Sequence, residues 1–231
     1  MKEDSIIAID SGEGSARRKI IQGLIIHMIG VHGKKCISLS IDPNITRAYL
    51  ALLPARLKEI VFKTGSFQIY LTVSSLIREL HDQLYLNPSN NKLIYHLYRD
   101  VLYPLQDQVI RDLQSKEFLI ILDRSRISTY AYYCSIPSLS SPPISETLQE
   151  AKTYLENNHI MSYFIQSNAR LSLDIASAKR YDLIAPQLNL KLKSWFSSLK
   201  NRLSSEFEVE FIPPQMAVEQ VIKSIMSRVS S

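Results

Sequence analysis

The chain is 231 residues long, 45% hydrophobic and 21% charged, which suits one α/β domain with a sizeable core and excludes wholesale disorder. Lysine and arginine total 27 against 22 acids, a net charge of +5, which suits anionic ligands. No run of five or six like charges marks a nucleic-acid tail, and no nucleic acid is expected as a partner. Cys36 and Cys134 stand far apart, and the five histidines lack ligand spacing, which argues against a disulfide framework or a zinc site. The start, Met1 to Ser5, is too acidic for a signal peptide. The longest apolar stretch, Ile20 to Val31, is broken by Gln22, Gly23 and His27 and is too short for a bilayer. These features lead us to expect a cytoplasmic protein with no membrane partner.

In chain order, Ser5 to Asp10 reads as a buried first strand, followed by a turn at Ser11-Gly12-Glu13-Gly14-Ser15. Ile20, Ile21, Leu24, Ile25, Met28 and Ile29 then recur on one helical face. Lys35 to Ser40 reads as a second strand, ended by Asp42-Pro43-Asn44. Helices are expected over Arg47 to Phe62, Tyr70 to Leu84 and Lys92 to Leu113. Phe118 to Leu122 is a continuous apolar run, the pattern of a strand buried on both faces, and Asp123-Arg124 follow it. Ser135 to Pro143 is rich in serine and proline and reads as a loop. A helix is expected from Glu146 to Glu156, a strand over Met161 to Ile165, and helices over Arg170 to Lys179 and Gln187 to Leu203. A last strand at Phe207 to Ile212 and a helix from Met216 to Val229 close the chain. No internal repeat or linker divides it, so residues 1–231 read as one domain.

Strands separated by helices imply a parallel sheet covered on both faces, with ligands at the carboxyl ends of the strands. After the first strand, residues 10–19 stand where a phosphate loop would: strand, glycine-rich turn, helix start. A GxxxxGK[ST] loop wraps phosphates in backbone N–H groups, reaches them with lysine and ligates Mg²⁺ through a hydroxyl. Here Ser11 and Ala16 stand at the glycine positions, Arg17 at the lysine and Arg18 at the hydroxyl. Arg17, Arg18 and Lys19 oppose the helix dipole unless an anion binds there; a solvated basic helix start has the same sequence. At the third strand, Asp123 suits a Mg²⁺ ion or its water shell and Arg124 a phosphate. An N-capping aspartate beside a surface arginine fits the same spacing.

These segments, in this order, resemble the thymidylate kinase family of nucleoside-monophosphate kinases. Its EGxDGSGK[ST] motif is matched by Asp10 to Arg18, its TREPGG segment by Ser40 to Asn44, and its DRYxxSSxAYQ motif by Asp123 to Tyr133. Val109-Ile110-Arg111 and the segments around Tyr163 and Leu171 follow the family order too, so the resemblance covers nearly the whole chain. Some positions depart from it: Ile41 stands for the family arginine, Ser125 for its tyrosine, Tyr133 for its glutamine and Gln166 for its aspartate.

The resemblance implies a P-loop NTPase-like three-layer α/β/α fold with a five-stranded parallel sheet. It implies nucleotide binding by Gly12, Gly14, Ser15, Ala16, Arg17 and Arg18, and substrate binding by Glu13, Asp42, Arg124, Ser128 and Tyr132. Arg17, Asp123 and Arg124 would be catalytic, with Asp123 near Mg²⁺. Residues 177–190 would form the lid, with Lys179 and Arg180 as its cations. The family reaction transfers a phosphoryl group from ATP with Mg²⁺ to dTMP, giving dTDP. With every fixed loop position changed, weak or lost transfer with residual nucleotide or anion binding is the expectation. One alternative is an active kinase using Arg17, Arg18 and Lys19 in place of lysine and metal ligand. Another is a non-catalytic protein that binds a partner, as a homodimer or with a paralogue.

Overall fold

A computed structural model of the chain describes residues 6–11, 16–84, 91–133, 144–166, 185–203 and 209–229. Five strands, β1 (Ile6–Ser11), β2 (Lys35–Ser40), β3 (Phe118–Asp123), β4 (Ile160–Ile165) and β5 (Val209–Ile212), form one all-parallel sheet in the order β2-β3-β1-β4-β5. Every residue of β1 is buried, as its unbroken Ile6 to Ile9 run requires in a sheet covered on both faces. The helices are α1 (Arg17–Gly30), α2 (Pro43–Ala51), α3 (Ala55–Phe62), α4 (Gly65–Leu84), α5 (Asn91–His96), α6 (Tyr103–Gln114), α7 (Arg126–Tyr133), α8 (Ile144–Asn157), α9 (Ala185–Lys200) and α10 (Val218–Val229). The fold is the expected P-loop-like three-layer α/β/α arrangement.

The chain moves one way in the sheet from β1 to β2 and the other way thereafter. With right-handed crossovers, that reversal puts the helix after β1 on one face and those after β2, β3 and β4 on the other. Accordingly α1 packs with α10 on one side, while α6, α8 and α9 lie against β3, β4 and β5 on the other. Gly23 lies at the α1–α10 contact, where Ile222 occupies the space a side chain would take. The strand order reverses between the carboxyl ends of β1 and β3, the place where a ligand site is expected in such sheets.

Four elements differ from expectation, two of them because of a proline. The single helix expected over Arg47 to Phe62 is broken into α2 and α3 at Pro54, which cannot continue a helix and disfavours it at Leu53. The long helix around residues 92–113 passes through a π-helical stretch, Leu97–Leu102. Pro104 lies two residues beyond; its ring would clash with the carbonyl of Asp100 in regular helix, and a wider turn relieves this. A helix does follow β3, as the N-capping alternative implies, but α7 begins only at Arg126 and Asp123 bonds to Arg17 and Tyr49 instead; α4 begins at Gly65 rather than Tyr70. The expected helix at Arg170 to Lys179 and the Ser135 to Pro143 loop lie outside the described residues. Among the described residues no single helix is long and apolar enough to cross a membrane.

The carboxyl end of β2 is tied to the helices by hydroxyls. The Ser40 carbonyl accepts from Tyr70 Oη at 2.8 Å and from Thr46 Oγ1 at 2.9 Å, and Gln106 Nε2 donates to Tyr70 Oη at 3.2 Å. Tyr70 and Gln106 are both buried, and burial raises the phenol's pKa, so it stays a donor. Tyr70→Phe leaves the Gln106 amide without this acceptor and should cost about 1–3 kcal/mol. Urea unfolding of the two proteins at neutral pH measures the difference; an unchanged midpoint would refute the assignment.

Candidate functional site

At the carboxyl edge of the sheet Ser40, Asp123 and Ile9 stand side by side, and β1 runs on through Asp10 and Ser11. Among the described residues, three carboxyl or guanidinium side chains are buried there: Asp10, Arg17 and Asp123, at 0%, 8% and 1% exposure. Helix α1 begins at Arg17, with Ala16 at its N-cap making no side-chain capping bond. From this first turn Arg17 reaches back to the sheet. Its Nε donates to Asp123 Oδ1 and its Nη1 to Ser11 Oγ, each at 2.5 Å. The other carboxylate oxygen of Asp123, Oδ2, accepts from Tyr49 Oη at 2.5 Å. Burial and the facing Asp123 carboxylate both raise the Tyr49 pKa, so the phenol remains protonated and donates.

Asp10 is held differently. Its Oδ1 accepts from the Ser125 backbone N–H at 2.8 Å and from Ser128 Oγ at 2.5 Å, while its Oδ2 is buried without a hydrogen-bond partner. Both donors belong to the start of α7, where Ser125 Oγ in turn accepts from the Ile127 N–H at 3.2 Å. Asp10 therefore meets the positive end of a helix. Desolvation nonetheless dominates and raises its pKa, although Ser128, Ser125 and Arg17 pull the other way.

The turn from β3 into α7 goes through Arg124 at φ 67°, while its N–H still donates to the Ile9 carbonyl at 3.1 Å. Holding a non-glycine residue there costs roughly 1–2 kcal/mol. The same turn delivers Arg126, whose guanidinium lies 3.6 Å from the Tyr154 ring centroid, 5.0 Å from that of Tyr103, and in an ion pair with Asp107. Asp107, Arg126, Thr153 and Tyr154 line a groove of about 660 Å³. After β2, Asp42 caps α2 by accepting from the Asn44 N–H at 2.9 Å, with Pro43 in the first helical position. Its Oδ2 lies 3.8 Å from Arg78 Nη1.

The structure thus brings together Arg17, Asp123 and Ser128 of the residues expected at a site. It keeps Arg124 half-buried beside them, Asp42 at the α2 cap, and Ala16 and Arg18 exposed at the α1 start. Gly12, Glu13, Gly14, Ser15, Lys179 and Arg180 lie outside the described residues, as does the side chain of Tyr132. Tyr49, Ser11 and the acid role of Asp10 were missed. Ser11 and Asp10 had been read only as motif positions, and Tyr49 only as a helical residue 74 positions from the carboxylate it meets. No family model matches the chain, and no curated protein sequence matches it.

The raised pKa of Asp10 has a sign that can be checked. The folded protein holds this proton more tightly than the unfolded chain. Its contribution is therefore fully present below the ordinary value of 3.8 and is lost as pH rises towards the raised folded value. Asp10→Asn keeps the Oδ1 acceptor and replaces Oδ2 by an amide nitrogen that does not titrate. Relative to wild type it should gain stability as pH rises from 3.8 towards the raised folded value. Urea titrations at three pH values in that range test this, and a difference that stays flat would mean Asp10 is ionised in the fold.

Proposed function

We propose that the chain is a thymidylate kinase-like protein in which phosphoryl transfer from ATP to dTMP is weak or lost, while nucleotide or anion binding persists at the start of α1. The supporting observation is the occupation of Asp123: one carboxylate oxygen is taken by Arg17 and the other by Tyr49. The two residues that the family resemblance would set on donor phosphates and metal are bonded to each other. Magnesium, which the family reaction uses, does not fit the side chains present. Arg18 brings a cation to the hydroxyl position, and the Asp123 oxygens are already committed. Phosphoryl transfer depends on positioning and charge neutralisation, and each lost transition-state contact costs ~3–4 kcal/mol. Two or three such losses remove ~10⁴ or more in rate even when sub-additive.

The test is ADP release from ATP, Mg²⁺ and dTMP, run beside a melting titration with each ligand. The expected turnover is at least ~10⁴ below the ~1–100 s⁻¹ of working kinases, with a melting shift on adding ATP. Turnover in the normal range that Arg17→Ala and Asp123→Ala abolish would instead establish a competent kinase built on the basic loop.

A second role, binding a partner through a helix face, is favoured by one observation. Along α4, Ile69, Leu76 and Leu80 are 55%, 55% and 40% exposed, with Val73 half-buried between them. Their spacing of four, three and four residues is that of a helix-pairing seam. Of the exposed positions from 68 to 80 only Glu79 is charged. The stripe lies away from the α2 side of α4, where Arg47 meets Ser75 and Arg78 meets Asp42. A second copy of this chain, offering the same uncharged seam, is the partner we propose. Light scattering at tens of micromolar should give a dimer that Leu76→Glu converts to monomer without loss of fold. A monomeric wild type would remove this role.

A further inference from the structure

The contact that occupies Asp123 is also a contact on Arg17, and this has a consequence for ligand binding. Arg17 is the buried cation of the site, with its Nε on Asp123 and its Nη1 on Ser11, while Arg18 and Lys19 beside it are exposed. An incoming anion meets Arg18 and Lys19 in solvent, whereas at Arg17 it meets a guanidinium whose Nε is already on Asp123 and whose Nη1 is already on Ser11. We infer that the Arg17–Asp123 pair is an autoinhibitory latch, in which Asp123 competes with a phosphate-bearing anion for one guanidinium. The inference rests on the anion-binding reading above and adds its regulation.

Three neighbours set the strength of the latch, and they act in different directions. Asp123 supplies the competing charge. Ser11 is a second anchor that holds Arg17 in place from the strand end. Tyr49 works the other way: by donating to Oδ2 it takes up part of the carboxylate's negative charge and leaves Asp123 a weaker competitor. Loosening Asp123 or Ser11 therefore strengthens anion binding, and removing the Tyr49 hydroxyl weakens it. A set of residues serving only to stabilise the fold would not give effects of opposite sign on affinity.

The experiment titrates inorganic pyrophosphate, and separately ATP without Mg²⁺, into the full chain by calorimetry. Asp123→Asn keeps the shape of the side chain and should bind at least about tenfold more tightly than wild type. Ser11→Ala, a small change at a strand end, should bind about threefold more tightly and serves as the deciding variant if Asp123→Asn does not fold. Tyr49→Phe should bind more weakly than wild type. Equal or weaker binding by Asp123→Asn or Ser11→Ala, with wild-type binding intact, overturns the latch and leaves anion binding standing. Absence of binding by wild type and variants alike overturns both. Turnover of dTMP, which decides the kinase question, is read in a separate assay.

Discussion

One buried guanidinium organises the carboxyl edge of this sheet. Arg17 opens α1 on its inner side, and a cation taken out of water without a partner costs several kcal/mol. Asp123, the last residue of β3, meets that charge, and Tyr49 of α2 meets the carboxylate in turn. Three elements that are distant in sequence are thereby fixed to one another through a single polar chain. The arrangement is possible only at this edge. Elsewhere the strands are buried between helix layers and the side chains of β1 and β3 are apolar.

Asp10 shows why the edge holds two carboxyl groups with one buried cation. Both lie within reach of Arg17's field, but Arg17 bonds to Asp123 and acts on Asp10 only through space. The donors that Asp10 does have, the Ser125 N–H and the Ser128 hydroxyl, satisfy one of its oxygens. Desolvation then decides, and the pKa of Asp10 is raised. Among the described residues, an acid whose ionisation burial disfavours thus stands at the start of α7 and an ion pair at the start of α1. Arg18 and Lys19, the other two cations of that helix start, are left in solvent.

How far the sequence was legible follows from the range of the interactions. Strands such as Phe118 to Leu122 were readable because burial on both faces leaves an unbroken apolar run, a signal contained within five residues. Pro54 was equally local, and its effect on the helix over 47–62 could have been read from the residue itself. The π-helical stretch before Pro104 was less accessible, since a proline in a helix can be met by several distortions. The polar network is different in kind. Asp10 meets Ser128 across 118 positions and Arg17 meets Asp123 across 106; no spacing rule carries such pairs. Sequence could place Asp123 and Arg17 at neighbouring strand and helix ends, but not that they would bond to each other.

The choice of arginine over lysine at position 17 is itself informative. A lysine ammonium is a compact point charge at the end of a flexible stem, whereas a guanidinium presents a planar fork with donors in fixed directions. Here two of those directions are used at once, Nε toward Asp123 and Nη1 toward Ser11. Measured against a GxxxxGK[ST] loop, the serine at position 11 and the arginine at position 17 are separate departures, yet they form one hydrogen bond. Ser11 supplies an acceptor that glycine lacks, and Arg17 supplies a second donor nitrogen, fixed in plane with the first, that lysine lacks. Each change makes the other useful, and together they turn a side chain suited to reach outward into one held against the sheet. The departures from a phosphate-loop sequence are therefore coupled, and at these two positions they build a specific internal contact in place of an external one.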